Sequence, residues 1–126
     1  MPAAESEVNA ARRELEEILK SPGFARNERL SLFLRFLVEQ HLEGRDHELK
    51  ESVIGTEVFG RKPDYSPKQD PIVRTEARRL RERLSQYYDG VGESHGLRIE
   101  LPKGGYVPVV RIVSPVPEPI ARRTTL

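Results

Sequence analysis

The stretch from Asp70 to Tyr88 constrains this chain more than any other. Asp70 is a strong N-cap residue, and Pro71 suits the first helical position, where its missing N–H would find no partner anyway. Behind this start, Val73, Ala77, Leu80, Leu84 and Tyr87 recur at spacings of 4, 3, 4 and 3. That is one apolar stripe on a helix of about 3.6 residues per turn. The pattern predicts a helix over 71–88 that stops before Gly90. At about 100° per residue, the opposite face centres near Thr75 and Glu82. Arg74, Arg78, Arg79, Ser85 and Gln86 flank that centre. A helix with one apolar stripe must bury it, so the remaining elements have to supply a core.

Two earlier segments have the right periodicity. Val8, Ala11, Leu15, Ile18 and Leu19 predict a helix from Glu7 to Lys20, stopped by Ser21-Pro22-Gly23. Asn27 is a good N-cap for a second helix with Leu30, Phe33, Leu34, Leu37, His41 and Leu42 on one stripe. Phe36 and Val38 broaden that stripe, so this is the expected central helix, with Gly44 just past its end. His41 reads as a packed histidine rather than a ligand, because the chain has 3 His and no Cys to form a metal set. Arg45 to Lys50 has room for a very short strand. A short third helix follows, with Val53, Ile54, Val58 and Phe59 apolar and Gly60 at its end. Gly55 inside it implies the close approach of a neighbouring helix.

Downstream of the 71–88 helix, Leu97, Ile99 and Leu101 alternate with Arg98 and Glu100, a strand pattern. Pro102-Lys103-Gly104-Gly105 is a turn, and Tyr106, Val107, Val109 and Val110 are the return strand. Pro108 lacks an amide donor and suits an edge. The expected fold class is α+β, mainly α with a small β-hairpin. Residues 1–6 are expected to be a flexible N-terminus, 7–112 one domain, and 113–126 a Pro-rich flexible tail or linker. A chain of 126 residues suits a single domain.

Charge is distributed unevenly. Residues 1–60 hold 8 Lys/Arg against 12 Asp/Glu, and residues 61–126 hold 13 against 8. On charge alone the basic half fits an ordinary mixed surface or a local anionic partner. Part of it is the loop Arg61 to Gln69, with Arg61, Lys62 and Lys68 among two prolines. The 71–88 helix combines a buried stripe with a face rich in Arg, Thr and Gln, the combination a helix needs to lie on duplex DNA. Arg pairs with guanine O6 and N7 or grips phosphate, and Lys103 at the hairpin tip suits a phosphate or the adjacent minor groove. A solvated Arg/Glu helix is the plainer reading of the same face, since Glu76, Glu82, Arg79 and Arg83 offer pairs at spacings of three and four.

Enzyme chemistry finds no foothold. The chain has no G-x-S-x-G, H-E-x-x-H or G-x-x-x-x-G-K-[ST]. Gly90-Val91-Gly92 lacks the strand and the helix of a nucleotide loop, Glu16-Glu17 sits on a charged helix surface, and Tyr87 and Tyr88 read as core. With 0 Cys, thiol chemistry and disulfides are excluded, and a reducing compartment fits. The start MPAAESEVNA is acidic with no apolar h-region, and no apolar run is long enough to span a bilayer. The expectation is a cytoplasmic, non-enzymatic protein with no metal, no cofactor and no membrane partner.

The residues from Leu49 to Val110 resemble the winged-helix output domains of OmpR/PhoB-type response regulators. Val58-Phe59-Gly60 stands where those domains end a short helix in Val-Trp-Gly. Arg78-Arg79-Leu80-Arg81-Glu82-Arg83-Leu84 matches their recognition helix. Lys103-Gly104-Gly105-Tyr106 matches their wing motif, one residue shorter. The chain is also similar, over roughly residues 15 to 110, to bacterial winged-helix modules at the N-termini of larger regulatory proteins. Those carry Val-Phe-Gly-Arg, Asp-Pro-Ile-Val-Arg-x-Glu-Ala-Arg-Arg-Leu-Arg and Leu-Pro-Lys-Gly-x-Tyr-Val-Pro.

The resemblance implies a winged helix-turn-helix preceded by an extra N-terminal helix, and a DNA-binding transcriptional regulator. Helix 71–88 would enter the major groove and the wing 97–110 would lie on the adjacent backbone or minor groove. Carried over by position, Arg74, Thr75, Arg78, Arg79, Arg81, Ser85 and Lys103 are the DNA-binding candidates, with Arg81 toward the phosphate flank. Arg61, Lys62 and Lys68 are candidate loop contacts, and loop 61–69 corresponds to the segment that meets RNA polymerase. The N-terminal helix is either a homodimer surface or a cover for its own core. Two features depart from the response-regulator pattern: helices replace the N-terminal sheet, and Glu82 replaces a basic residue. The alternatives are a winged-helix protein-interaction module without DNA binding, or the detached N-terminal module of a larger sensor or enzyme.

Overall fold

The computed structural model describes residues 2–113, and their side chains from Glu7 onward. The segment 114–126, with most of the expected Pro-rich tail, lies outside the described residues.

Helix α1 runs from Pro2 to Lys20 and buries Ala11, Leu15 and Ile18. It begins five residues before the expected start at Glu7, so its span also takes in residues 2–6. Ala3, Ala4 and Glu5 are good helix formers, and a proline costs nothing in the first turn. The helix stops where Ser21 turns its hydroxyl back to the Ile18 carbonyl at 2.5 Å. The expected breaker Ser21-Pro22-Gly23 does more than end α1. Pro22–Ala25 forms a one-turn helix, α2, that drives Phe24 into the core with 1% of its surface exposed.

Helix α3, Glu28–Leu42, is the central element, as its stripe requires. The Asn27 side chain accepts the Leu30 amide at 3.0 Å, the expected cap. Leu30, Phe33, Leu34, Leu37 and Val38 are buried, and Phe33 meets Phe59 edge-to-face at 5.1 Å. Gly44 takes φ +76° and turns the chain out of the helix. The next segment is a 3₁₀ turn, Asp46–Glu48, and not a strand. Leu49, the one apolar residue of 45–50, caps this turn and is buried.

Helix α4, Glu51–Glu57, is short and buries Ile54 and Gly55. A β-carbon at Gly55 would collide with the Tyr65 ring and hydroxyl. The close neighbour is therefore a loop aromatic rather than a helix, and Tyr65 donates its hydroxyl to the Glu51 carbonyl at 3.0 Å.

Helix α5, Ile72–Asp89, buries the whole expected stripe of Val73, Ala77, Leu80, Leu84 and Tyr87. Pro71 stands one place outside the helix, and Asp70 still accepts the Ile72 amide at 3.3 Å. Glu76 and Tyr88 are also buried, at 3% and 4% exposure. Glu76 is thus not on the solvated face where the i, i+3 pattern placed it. It lies between Arg79 at 3.1 Å and Arg29 of α3 at 3.5 Å.

Strand β1, Leu97–Glu100, pairs antiparallel with β2, Val109–Ile112, and Leu97 faces Ile112. Leu97, Ile99 and Leu101 point into the core as the alternation predicts, while Arg98 and Glu100 are half-buried, with the Arg98 guanidinium 5.2 Å from the centre of the Tyr88 ring. The return strand begins later than expected, at Val109 rather than Tyr106. The hairpin loop is correspondingly longer, 101–108. Prolines at both ends of it cannot donate to a ladder, and Tyr106 turns inward instead. Helix α5 reaches β1 and the start of the loop: Tyr88 accepts the Ile99 amide at 2.9 Å and Arg81 donates to the Leu101 carbonyl at 3.1 Å.

Candidate nucleic-acid interface

Because α5 buries the 73–87 stripe, two ridges of charged residues emerge on its flanks. Arg74, Arg78, Arg81 and Glu82 lie on the ridge facing the hairpin loop. With Glu51, Lys103, Gly104, Gly105 and Tyr106 they line a groove of about 820 Å³, the largest concavity among those described. The loop reaches over the helix because Gly104 adopts φ +92°, a conformation other L-residues rarely take. Tyr106 forms part of the groove wall. Burial pushes its hydroxyl pKa up, and the nearby Glu51 carboxylate adds to that.

The four cations in the groove are not equivalent. Arg74 donates to Glu51 Oε2 at 2.6 Å and to the Pro67 carbonyl at 3.0 Å. Its charge is partly answered within the protein. Arg81 donates to the carbonyls of Leu101, Pro102 and Gly105, so Nε and Nη2 of its guanidinium are engaged by the loop. Arg78 and Lys103 are exposed, and no ion pair among the described residues includes either of them. Glu82, also exposed and likewise outside every described pair, adds one carboxylate to the groove.

The remaining expected contacts scatter. Arg79 occupies the opposite flank of α5, paired with Glu76 and 62% exposed. Thr75 is half-buried on α5. Ser85 borders a separate depression of about 240 Å³ beside Arg98 and Glu100. In the 61–69 loop, Arg61 donates to Asp70 Oδ2 at 2.7 Å and to the Phe59 carbonyl at 3.2 Å. The hydrogen bond from Arg61 holds the Asp70 carboxyl below its ordinary pKa. Lys62 and Lys68 are exposed.

Glu51 and Tyr106 belong to the groove and were not among the expected site residues. Glu51 carries no signal in its own segment, since it joins the site only because α4 starts beside α5. Tyr106 was hidden by its assignment to a strand. No group of three or more His, Asp or Glu side chains is arranged to hold a metal ion among the described residues. No described helix is long and apolar enough to cross a membrane.

A scan against family models, a search of curated proteins and a search of solved structures each find no match to this chain.

Proposed function

We propose that this protein is a winged helix-turn-helix transcriptional regulator that binds duplex DNA, with α5 in the major groove and the hairpin loop as its wing. The observation that carries this reading is the groove between α5 and the loop. Four cations line it against two carboxylates, and Arg78 and Lys103 stand outside every described ion pair. The order α3, α4, α5, β1, β2 supports it, as does the groove that α5 and the hairpin loop line together. A helix about 10–12 Å across with its side chains fits a major groove about 12 Å wide. Arg78 has the fork geometry for guanine or phosphate, and Lys103 is a point charge suited to the backbone. A cytoplasmic location goes with this function. Loop 61–69, with Lys62 and Lys68 exposed, is the surface proposed to meet RNA polymerase.

The test is fluorescence anisotropy of a labelled random-sequence duplex from about 50 to 200 mM salt, where phosphate contacts give a steep loss of affinity. The full chain is expected to bind with a Kd in the range of about 10⁻⁴ to 10⁻⁶ M, typical of non-specific contact. The R78A/K103A double variant is expected to lose most of that binding. An absence of binding at about 50 mM salt would reject the proposal. A second reading, a protein-interaction module, draws on Glu51 and Glu82 in the groove. It predicts retention of a protein partner by the same surface without duplex binding.

A further inference from the structure

Arg81 is the one groove cation whose described hydrogen bonds all go to the hairpin loop. Nε donates to the Leu101 carbonyl at 3.1 Å, and Nη2 donates to Pro102 at 3.2 Å and Gly105 at 3.0 Å. These three carbonyls lie on both limbs of the loop, before and after Lys103-Gly104. The positive φ of Gly104 brings the two limbs round to one guanidinium.

Apolar packing does not do this work. Pro102, Lys103, Gly104 and Gly105 are all exposed, whereas the buried Leu101 and half-buried Tyr106 anchor only the base of the loop. Arg81 also lies one turn from Arg78 on α5. The helix that carries one unpaired cation therefore carries the fastening of the other, Lys103.

From this geometry we infer that Arg81 is a positioning residue for DNA binding: it clamps the wing tip to α5 and sets where Lys103 meets the duplex. The inference rests on the DNA-binding reading above. It assigns Arg81 a role different from a phosphate contact, and the two roles separate by substitution. A phosphate contact tolerates lysine, because a point charge suffices. A clamp made of a planar fork with several fixed donors does not.

The experiment is a double-mutant cycle on the full chain, with R81K, K103A and R81K/K103A titrated against the same random-sequence duplex across salt. K103A is expected to lower the slope of log K against log salt by about 0.9, the loss of one phosphate contact. R81K, although it keeps its charge, is expected to lower the slope by a similar amount. K103A is then expected to change Kd by less than about twofold in the R81K background, because contacts in one coupled unit do not add. Wild-type affinity and slope in R81K would overturn the inference, as would an undiminished effect of K103A in that background.

Amide hydrogen exchange of Lys103, Gly104 and Gly105 gives a readout without DNA. R81K is expected to speed it at least tenfold while leaving α3 protected. If the wild-type chain binds no duplex, the DNA-binding reading fails, and the positioning role for DNA fails with it. Faster exchange at the tip would then still establish the clamp, and unchanged exchange would remove that as well.

Discussion

The Tyr88 hydroxyl donates to the Glu14 carboxylate at 2.7 Å and accepts the Ile99 amide at 2.9 Å. One phenol thereby ties α1, α5 and β1 together. His95 Nδ1 lies 3.0 Å from both Glu14 oxygens and completes the arrangement. Glu14 is 8% exposed, so its charge is stabilised by these partners rather than by water. Its neighbour Tyr87 is different, because its hydroxyl is buried with no hydrogen-bond partner among the described residues.

This contrast gives a paired prediction. Y88F leaves a buried carboxylate and a buried amide each short of a partner, at an expected cost of about 1–3 kcal/mol. Y87F removes an orphan hydroxyl and is expected to be neutral or stabilising. Urea denaturation of the two variants checks this. Equal losses would mean the Tyr88 hydrogen bonds contribute nothing net.

Alkaline pH should act on the same pair. Burial pushes the Tyr87 hydroxyl up to about 12 from an ordinary value of 10.0, and burial with the hydrogen bond to Glu14 raises Tyr88 further. Both groups hold their protons more tightly when folded. Their contribution is therefore complete below about pH 10, where tyrosine is neutral in both states. It is lost as pH rises through the folded values, because the unfolded chain ionises first. The urea midpoint is expected to fall from about pH 10 upward in the wild type and less steeply in the Y87F/Y88F double variant. Parallel profiles would show that other groups govern alkaline unfolding.

Gly55 has a requirement set by packing. Alanine at that position would gain about 1 kcal/mol of helix propensity, but its β-carbon would meet Tyr65. The steric term is expected to win, and G55A should destabilise by about 1–3 kcal/mol. Y65A in the same chain should relieve most of that loss. A G55A variant more stable than wild type would show that the loop gives way at little cost.

Glu51 is expected to restrain DNA binding, if the groove binds DNA as proposed. It pairs with Arg74 at 2.6 Å and places a carboxylate in the groove. E51Q releases Arg74 and removes one negative charge. Duplex affinity at about 50 mM salt is expected to rise about two- to fivefold, and the salt slope to steepen by up to about 0.9. Unchanged binding in anisotropy titrations would place Arg74 outside the contact.

Local geometry made much of this protein legible in its residues. The stripe of Val73, Ala77, Leu80, Leu84 and Tyr87, the Asn27 cap and the alternation of Leu97, Ile99 and Leu101 all depend on helix or strand periodicity within a few positions. Each stands in the structure where that periodicity puts it. The class of the fold follows from them, as do the exposed positions of Arg78 and Lys103.

What tertiary structure alone decided is which charges are already spent. Glu76 is buried because Arg29 arrives from α3, Arg74 is paired because α4 begins beside it, and Arg81 turns to a loop about twenty residues away. Glu14 is buried with Tyr88 and His95, far along the chain. Periodicity shows which face of a helix is polar, but long side chains choose partners by distance in space. A cation's freedom to meet a ligand is therefore set by packing between elements, and the five arginines of α5 became one residue outside every described ion pair, two ion-paired ones, a clamp on the hairpin loop and a donor to the Gly23 carbonyl.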